Sequence, residues 1–179
     1  MISIQIKDIG QFMTILLSES SDAFDDFLVG KVTIVTGVTY MIDGHLNREF
    51  YTKEEIGLLR ETAEKEGQIF SEDMIRWTEL KPRCYSVIKG KKAPLSFRFE
   101  LYLPPEGINR FLTKAGITDL TANDLAGLSL NIKYGSEGLN LTTAVSYKTF
   151  IMDRTADKKW DEHLISMLDR LSISFTEAL

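Results

Sequence analysis

Two stretches of this chain, about a hundred residues apart, change hydrophobic period in the same order, and this repetition constrains the fold more than any other feature. In the first stretch, apolar and polar residues alternate over residues 2–6, which predicts a half-buried strand. Residues 9–17 then place apolar side chains at helical spacing. Two further strands are predicted over residues 32–36 and 38–42, broken near Gly37, so the first quarter of the chain is predicted to be strand, helix, strand, strand.

The second stretch repeats that order. Residues 97–103 alternate as a strand, which Pro104-Pro105 ends because proline cannot donate a hydrogen bond to a neighbouring strand. Residues 108–115 then repeat the apolar stripe of the first helix at a constant offset of 99. Two long alternating segments, 128–134 and 139–151, complete a second strand, helix, strand, strand unit.

We interpret the two stretches as pseudo-repeats in one α+β domain, residues 1–179, with a largely antiparallel sheet. The alternative is coincidence, because alternation of strands and helices is common. An apolar stripe around Trp160 predicts a C-terminal helix that packs on the sheet. The predicted divisions are pseudo-repeat 1 at about 1–50, a helical insertion at about 51–93, pseudo-repeat 2 at about 94–152 and the C-terminal helix at about 156–172.

Capping residues support the predicted helices. Asp8 is followed three residues later by Gln11, and Thr52 by Glu55, which is the spacing of a capping box. The second half of the insertion has apolar residues at helical spacing over 77–88, with a proline that interrupts or restarts the helix. A strand over residues 83–88 is the alternative prediction for this part of the chain.

The composition indicates a globular protein of a reducing compartment. The chain is 44% hydrophobic and 26% charged, which is ordinary for folded domains and unlike disordered ones. Its lone cysteine, Cys84, cannot form an internal disulfide. The first residues lack the apolar core of a secretion signal, and no apolar run is long enough to span a bilayer. We therefore predict a cytoplasmic protein that does not bind membranes.

Basic residues cluster in the window 76–98. It contains seven basic side chains and one acidic one, whereas the whole chain has a net charge of -5. A cluster of one sign on an opposite background attracts anionic partners. The window therefore predicts an anion-binding or nucleic-acid-binding surface, and the partner is nucleic acid, another polyanion or an acidic protein. The residues assigned to this surface are Lys81, Arg83, Lys89, Lys91, Lys92 and Arg98. The alternative is that the lysines only complement the end of a helix.

Catalytic signatures are absent from the sequence. It has no nucleophile elbow, zinc helix, phosphate-binding glycine loop or pair of CxxC motifs, so we predict no cofactor and no metal. His45 after a turn is a candidate general base, but a surface role is favoured because it has no nucleophile to serve. Cys84 has basic neighbours that would activate a thiol, yet it lies on an apolar helical stripe that favours burial. His163 is predicted to lie on a solvated helix face.

Several segments resemble an uncharacterised bacterial family of unknown function. They are Asp43-Gly44 with Leu46-Asn47, the stretch 77–99 with its Ile88-Lys89-Gly90-Lys91 and Pro94-Leu95-Ser96-Phe97 blocks, and Leu130-Asn131-Ile132. The resemblance covers nearly the whole chain and implies no activity. The order of elements is also similar to the half-units of DNA sliding clamps, which implies a clamp-like sheet. Ring-forming clamps present cations from their helices to DNA, whereas the second predicted helix offers only Arg110 and Lys114.

These observations favour a non-enzymatic binding or interaction module. Two alternatives stay open: a protein-interaction or structural protein with no nucleic-acid role, and an enzyme with an unrecognised site near His45 or Cys84. A monomer or an isologous homodimer is predicted in preference to a ring, since two half-units make only one clamp-like domain. The long strand over 139–151 has few charges to protect it if it lies at a sheet edge.

Overall fold

The structure is a computed structural model that describes residues 1–67 and 70–177. In this part of the chain the strands are β1 (Ser3–Ile6), β2 (Leu28–Val35), β3 (Thr39–Asp43), β4 (Ser96–Tyr102), β5 (Leu125–Gly135), β6 (Gly138–Tyr147) and β7 (Phe175–Glu177). The α-helices are α1 (Ile9–Leu17), α2 (Lys53–Lys65), α3 (Trp77–Ile88), α4 (Pro105–Lys114) and α5 (Thr155–Arg170). A short 3-10 turn, Arg48–Phe50, precedes α2. No described helix has both the length and the apolar character needed to cross a membrane.

All the strands form one sheet in the order β3-β2-β4-β5-β6-β1-β7. Every pairing between neighbouring strands is antiparallel. The predicted α+β class with an antiparallel sheet and a C-terminal helix is therefore confirmed. The long strand β6 pairs with β5 along its length and with β1 over Leu139–Thr142, so that part of it does not form an exposed edge.

One face of the sheet carries the core and the other is open. In β4, Phe97, Phe99 and Leu101 are buried, while the alternate residues Arg98 and Glu100 are exposed or half-buried. The helices cover the buried face: the ring of Trp77 in α3 lies edge-on to Phe99, at 5.3 Å between centroids. The result is a two-layer structure in which polar side chains line the uncovered face of the sheet.

Aromatic side chains tie the helices to the sheet and to each other. The indole nitrogen of Trp160 in α5 donates to the backbone oxygen of Ser129 in β5, at 2.9 Å. The indole nitrogen of Trp77 donates to the backbone oxygen of Leu16 in α1, at 3.0 Å. Phe111 in α4 lies edge-on to Trp160. Both indole N–H groups are satisfied in the core, as buried tryptophans require.

The predicted order of elements occurs in both halves, but the strands have different neighbours. β1, α1, β2 and β3 follow each other along the chain, as do β4, α4, β5 and β6. In the second half, β4 lies beside β5, whereas in the first half β1 pairs with β6 and β7 and does not touch β2. Superposition of the two halves as equivalent units stays a prediction.

Two differences from the predicted strands have local causes. β2 begins at Leu28, before the predicted start at residue 32. Its register with β4 shifts between Val29 and Lys31, and this irregularity hides the period of two that would mark a strand in the sequence. Gly30 sits in that irregularity under the ring of Tyr102, where a Cβ would come within 2.5 Å of the ring. The short strand β7 was not predicted from the sequence, since it has only three residues.

The predicted caps and the insertion helices are confirmed. The Asp8 side chain accepts from the Gln11 backbone N–H, and Thr52 and Glu55 form a complete capping box at the start of α2. Residues 77–88 form the helix α3, with Pro82 inside it, so the alternative strand over 83–88 is wrong. Packing against α1 and the sheet stabilises this helix despite the proline.

Candidate binding groove between α1 and α3

Lys81 does not belong to the surface that the sequence predicts. Its side chain is only 4% exposed, and its ammonium donates to the Ser21 backbone oxygen and to Asp25, each at 2.8 Å. Lys81 therefore holds the segment after α1 against α3. The prediction for this residue is corrected, because a charge count along the chain does not tell which helix positions face the interior and meet a half-buried carboxylate.

Arg98 lies on the opposite side of the sheet from α3. It is exposed on the open face of β4, where its guanidinium pairs with Glu100 at 3.1 Å. Its direct neighbours in the sheet are Thr33 and Lys133. Arg98 thus lies on the other side of the sheet from Arg83, which belongs to α3.

The other four predicted cations lie in α3 or in the loop that follows it. Arg83 is exposed in α3 and donates to the backbone oxygen of Glu79. Lys89, Lys91 and Lys92 follow the helix and are exposed. Among the described residues, none of these three lysines has an ion pair with a carboxylate. We call Lys89, Lys91 and Lys92 the basic loop.

The basic loop adjoins a groove of about 760 Å³ between α1 and α3. We call it the α1–α3 groove. Half of its lining residues are apolar and come from both helices, and most of the polar half are uncharged. The apolar set is Met13, Leu17, Pro82, Tyr85 and Ile88, and the polar set is Thr14, Ser18, Glu19, Ser86 and Lys89. The groove therefore places apolar side chains beside Lys89 of the basic loop.

Helical spacing explains why these α3 residues share the groove. Positions 82, 85, 86 and 89 recur at intervals of three and four, so they lie on one face of the helix. The opposite face carries Trp77, Leu80 and Cys84 into the core. Tyr85 is 49% exposed, and the Lys89 ammonium lies 5.4 Å from its ring centroid in a cation–π contact.

Cys84 is buried in the core, as the apolar stripe predicts. Its side chain lies on the core-facing side of α3 and is fully buried, and burial raises the pKa of the thiol to about 12. A thiol in that environment stays protonated and inert at neutral pH. The burial of Cys84 therefore favours a structural role over a reactive one.

A second polar group lies on the open face of the sheet, at the end of β3. The backbone N–H of His45 donates to Asp43 Oδ1 at 3.0 Å, and its Nδ1 lies 2.6 Å from the same oxygen. These two hydrogen bonds lower the pKa of the Asp43 carboxyl. Since a carboxylate only accepts, Nδ1 donates and Nε2 is left to accept a proton.

The Asp43–His45 pair borders a shallow recess of about 410 Å³. The other ionisable residues that line it are Lys31, Glu100 and Tyr102. Burial, with a smaller contribution from Glu100, raises the pKa of the Tyr102 hydroxyl. No described residue lining this recess is Ser, Thr or Cys, so it offers a proton acceptor but no side-chain hydroxyl or thiol nucleophile of those types.

His163 is not on a solvated face, so that prediction is wrong. It is half-buried, with its ring stacked on Trp160 at 5.2 Å between centroids and edge-on to Phe111. Burial lowers its pKa, and the charges of Arg170 and Lys114 lower it further. The packing of α4 beside α5 covers the histidine, and the sequence of α5 alone does not reveal that neighbour.

Sequence reasoning did not find the α1–α3 groove, because its walls are separated by more than sixty residues along the chain. Among the described residues, no group of three or more His, Cys, Asp or Glu side chains is arranged to hold a metal ion.

Comparison with known proteins gives one match. The model of a family of unknown function, DUF5721, matches residues 16–176. No curated protein and no solved structure matches the chain. The match agrees with the resemblance stated for the sequence and assigns no activity.

Proposed function

The chain belongs to DUF5721, a family of unknown function, and we propose that it is a binding module for an acidic, amphipathic segment of a partner protein. The segment docks in the α1–α3 groove and reaches the basic loop with its acidic side chains. The observation that carries this proposal is that Lys89, which has no carboxylate partner among the described residues, lines the groove beside its apolar side chains, and that the exposed Lys91 and Lys92 follow it in the chain. The lone, buried Cys84 fits a reducing compartment, so we propose a cytoplasmic location.

Charge supports an acidic partner. Lys89, Lys91 and Lys92 lie within four residues, and their like charges sum to a local positive potential that accelerates the encounter with an anion. Complementary carboxylates would remove the repulsion between the lysines. Glu19, which follows α1 and also lines the groove, supplies an opposite charge that sets the direction of the docked segment.

Apolar contact supports an amphipathic partner over a purely acidic one. Met13, Leu17 and Ile88 provide aliphatic surface, and half-exposed Tyr85 provides an amphipathic ring of the kind enriched in binding hot spots. A helical segment with apolar residues at spacings of three and four fills such a groove. Methionine adapts its shape to different side chains, which suits a peptide-binding surface.

Nucleic acid fits this surface less well. Lys81 is buried and Arg98 lies on the other face of the sheet, so the basic window does not form one continuous track for a phosphate backbone. Single-strand binders also use repeated aromatic platforms. The groove has one exposed aromatic ring, Tyr85, and the Lys89 ammonium already lies over it.

The test measures binding of a labelled amphipathic peptide of about four helical turns, with Leu and Phe on one face and Glu on the other. Fluorescence anisotropy compares it with a scrambled peptide of the same composition and with labelled single-stranded and duplex oligonucleotides. Replacing the basic loop (Lys89→Glu, Lys91→Glu and Lys92→Glu) is expected to weaken peptide binding by about tenfold or more. The matched control changes three exposed lysines outside the groove: Lys133→Glu, Lys148→Glu and Lys158→Glu.

Three results would contradict the proposal. Equal losses in the two triple variants would show an effect of net charge and not of the basic loop. Equal binding of the scrambled peptide would remove the apolar groove from the interaction. Tighter binding of an oligonucleotide than of the peptide, lost in the basic-loop variant, would make nucleic acid the partner.

A second candidate function is hydrolysis at the Asp43–His45 recess. The observation that favours it is the Asp43–His45 hydrogen bond, which orients the imidazole and leaves Nε2 as a base for an attacking water. Lys31 is the direct cross-strand neighbour of both Asp43 and Glu100 and supplies a cation for a developing negative charge.

A panel of ester, phosphoester and amide substrates tests this second function. Turnover that His45→Ala abolishes, and that Lys133→Ala on the same open face leaves unchanged, would support it. Turnover equal in the wild-type protein and His45→Ala, or no turnover on any substrate, would remove the enzyme from consideration at this recess.

A further inference from the structure

A cleft between α4 and α5 lies away from both sites described above. It consists of two adjoining recesses of about 500 and 360 Å³. They share Phe111, Lys114, His163 and Arg170, so they form one continuous cleft that passes over the histidine. We call it the α4–α5 cleft. Its total size falls in the range of small-molecule sites.

Two cationic side chains lack a carboxylate partner where the two recesses meet. Lys114 and Arg170 are exposed, and among the described residues neither has an ion pair with a carboxylate. Arg110, farther along, faces Asp26 at 3.4 Å. Asp22 also lines that outer part of the cleft, so its basic and acidic ends are separated.

His163 lies at the basic end and is held in place by its neighbours. Its ring stacks on Trp160 with an angle of 12° between the planes, and Phe111 meets it edge-on. Burial lowers the pKa of His163, and Arg170 and Lys114 are close enough to lower it further. Three nitrogen-bearing side chains thus lie close together, and Glu162, a carboxylate that also lines the smaller recess, is already paired with Lys159 at 2.8 Å.

Part of the wall of the larger recess is apolar. Phe27 and Leu103 come from the sheet side, and Met167 comes from α5. An inorganic anion would leave this surface uncovered, and an extended polyanion would meet Asp22 and Asp26 at the outer end. A compact ligand with one anionic group and an apolar body matches both parts of the cleft.

We propose that the α4–α5 cleft binds a small organic anion. Lys114 and Arg170 hold its carboxylate or phosphate group, His163 donates a further hydrogen bond, and an aromatic or aliphatic body lies against Phe27, Phe111 and Met167. This site is independent of peptide binding in the α1–α3 groove. The arginine offers the planar pair of donors that suits carboxylate and phosphate oxygens.

The test uses 2-naphthoate, 2-naphthyl phosphate and neutral 2-naphthol with the full chain, measured by calorimetry. At least one of the two anions is expected to bind about tenfold or more tightly than 2-naphthol, because the charged group adds hydrogen bonds to Lys114 and Arg170. Comparison of the two anions distinguishes a carboxylate site from a phosphate site. The variant Lys114→Gln with Arg170→Gln is expected to lose that preference, and Lys158→Gln, on α5 but outside the cleft, is the matched control.

Nuclear magnetic resonance locates the ligand. The chain has two histidines, so the ring signals of His163 are expected to shift on binding while those of His45 serve as an internal reference. Equal affinity for 2-naphthol and both anions, no binding of either anion, unchanged affinity in the double variant, or a shift confined to His45 would each overturn the proposal.

Discussion

The two helices of the insertion, α2 and α3, form for opposite reasons. α2 has 13 residues, a complete capping box and acidic residues in its first turn, yet Ala63 is its one buried residue. α3 has 12 residues, no side-chain cap and an internal proline, yet it buries Trp77, Leu80, Lys81 and Cys84. Local signals stabilise the first helix, and tertiary packing stabilises the second.

The difference bears on function. A helix that is held by the core presents its outer face in a fixed position, and α3 does so with Tyr85 and Lys89. α2 instead exposes Leu58 and Leu59, at 63% and 44%, on a helix with little buried surface. A rigid groove therefore lies on α3, whereas α2 is expected to open independently of global unfolding.

The largest expected effect follows from the packing of α3. Trp77→Ala should lower the free energy of unfolding by about 3–5 kcal/mol, because it removes a fully buried ring and leaves the Leu16 carbonyl without its indole donor. Urea denaturation followed by circular dichroism measures the loss. If Trp77→Ala does not fold, Trp77→Phe should still cost about 1–3 kcal/mol. A loss below about 1 kcal/mol for either variant would contradict the account of α3.

A smaller effect is expected at the ion pair between buried Lys81 of α3 and half-buried Asp25. Lys81→Met keeps the aliphatic stem but removes both hydrogen bonds of the ammonium, to Asp25 and to the Ser21 carbonyl. The expected cost is about 2 kcal/mol, since hydrogen bonds to charged groups exceed those between neutral ones. Arg83→Met, two residues away and exposed, should change stability by less than about 0.5 kcal/mol. Equal effects would show that Lys81 acts as a surface cation.

The pH dependence of stability provides a third measure of α3 burial. Burial raises the pKa of Cys84 to about 12, above its usual value of 9.0. The contribution of the thiol is complete below pH 9 and declines as pH rises toward 12, because the unfolded chain loses the proton first. Between pH 8 and 10, wild-type protein should lose about 1 kcal/mol more than Cys84→Ala. Parallel pH profiles for the two proteins would mean that the thiol is accessible.

Local patterns explain how much of this structure could be predicted. The alternation of Phe97, Phe99 and Leu101 marks a strand in any tertiary context, and the spacing of Thr52 and Glu55 marks a helix start. Such signals act within a few residues, so the antiparallel α+β class and the main elements follow from them. The position of β1 between β6 and β7 depends on pairing across the whole chain, and no local residue encodes it.

The candidate sites depend on the same nonlocal contacts. Lys81 and Lys89 belong to one basic window, but Asp25 accepts the first in the interior while the second stays at the surface. His163 has acidic sequence neighbours that suggest solvent, yet Phe111 from α4 packs against its ring. Charge along a sequence therefore predicts the presence of cations, and packing decides which of them reach a partner.

The smallest expected effect on stability concerns α2. Leu58→Ser with Leu59→Ser should change the free energy of unfolding by less than about 0.5 kcal/mol, since both side chains are largely exposed. Hydrogen exchange should show faster exchange for α2 amides than for α3 amides, because α2 opens without disrupting the core.

A loss of stability above about 1 kcal/mol that grows with protein concentration would mean that Leu58 and Leu59 are covered by a second copy of the chain. In that case α2 would be a dimer contact, and light scattering at twice 20.3 kDa would identify it. A large loss at every concentration would instead show that α2 is packed as firmly as α3, which would end the contrast between the two helices.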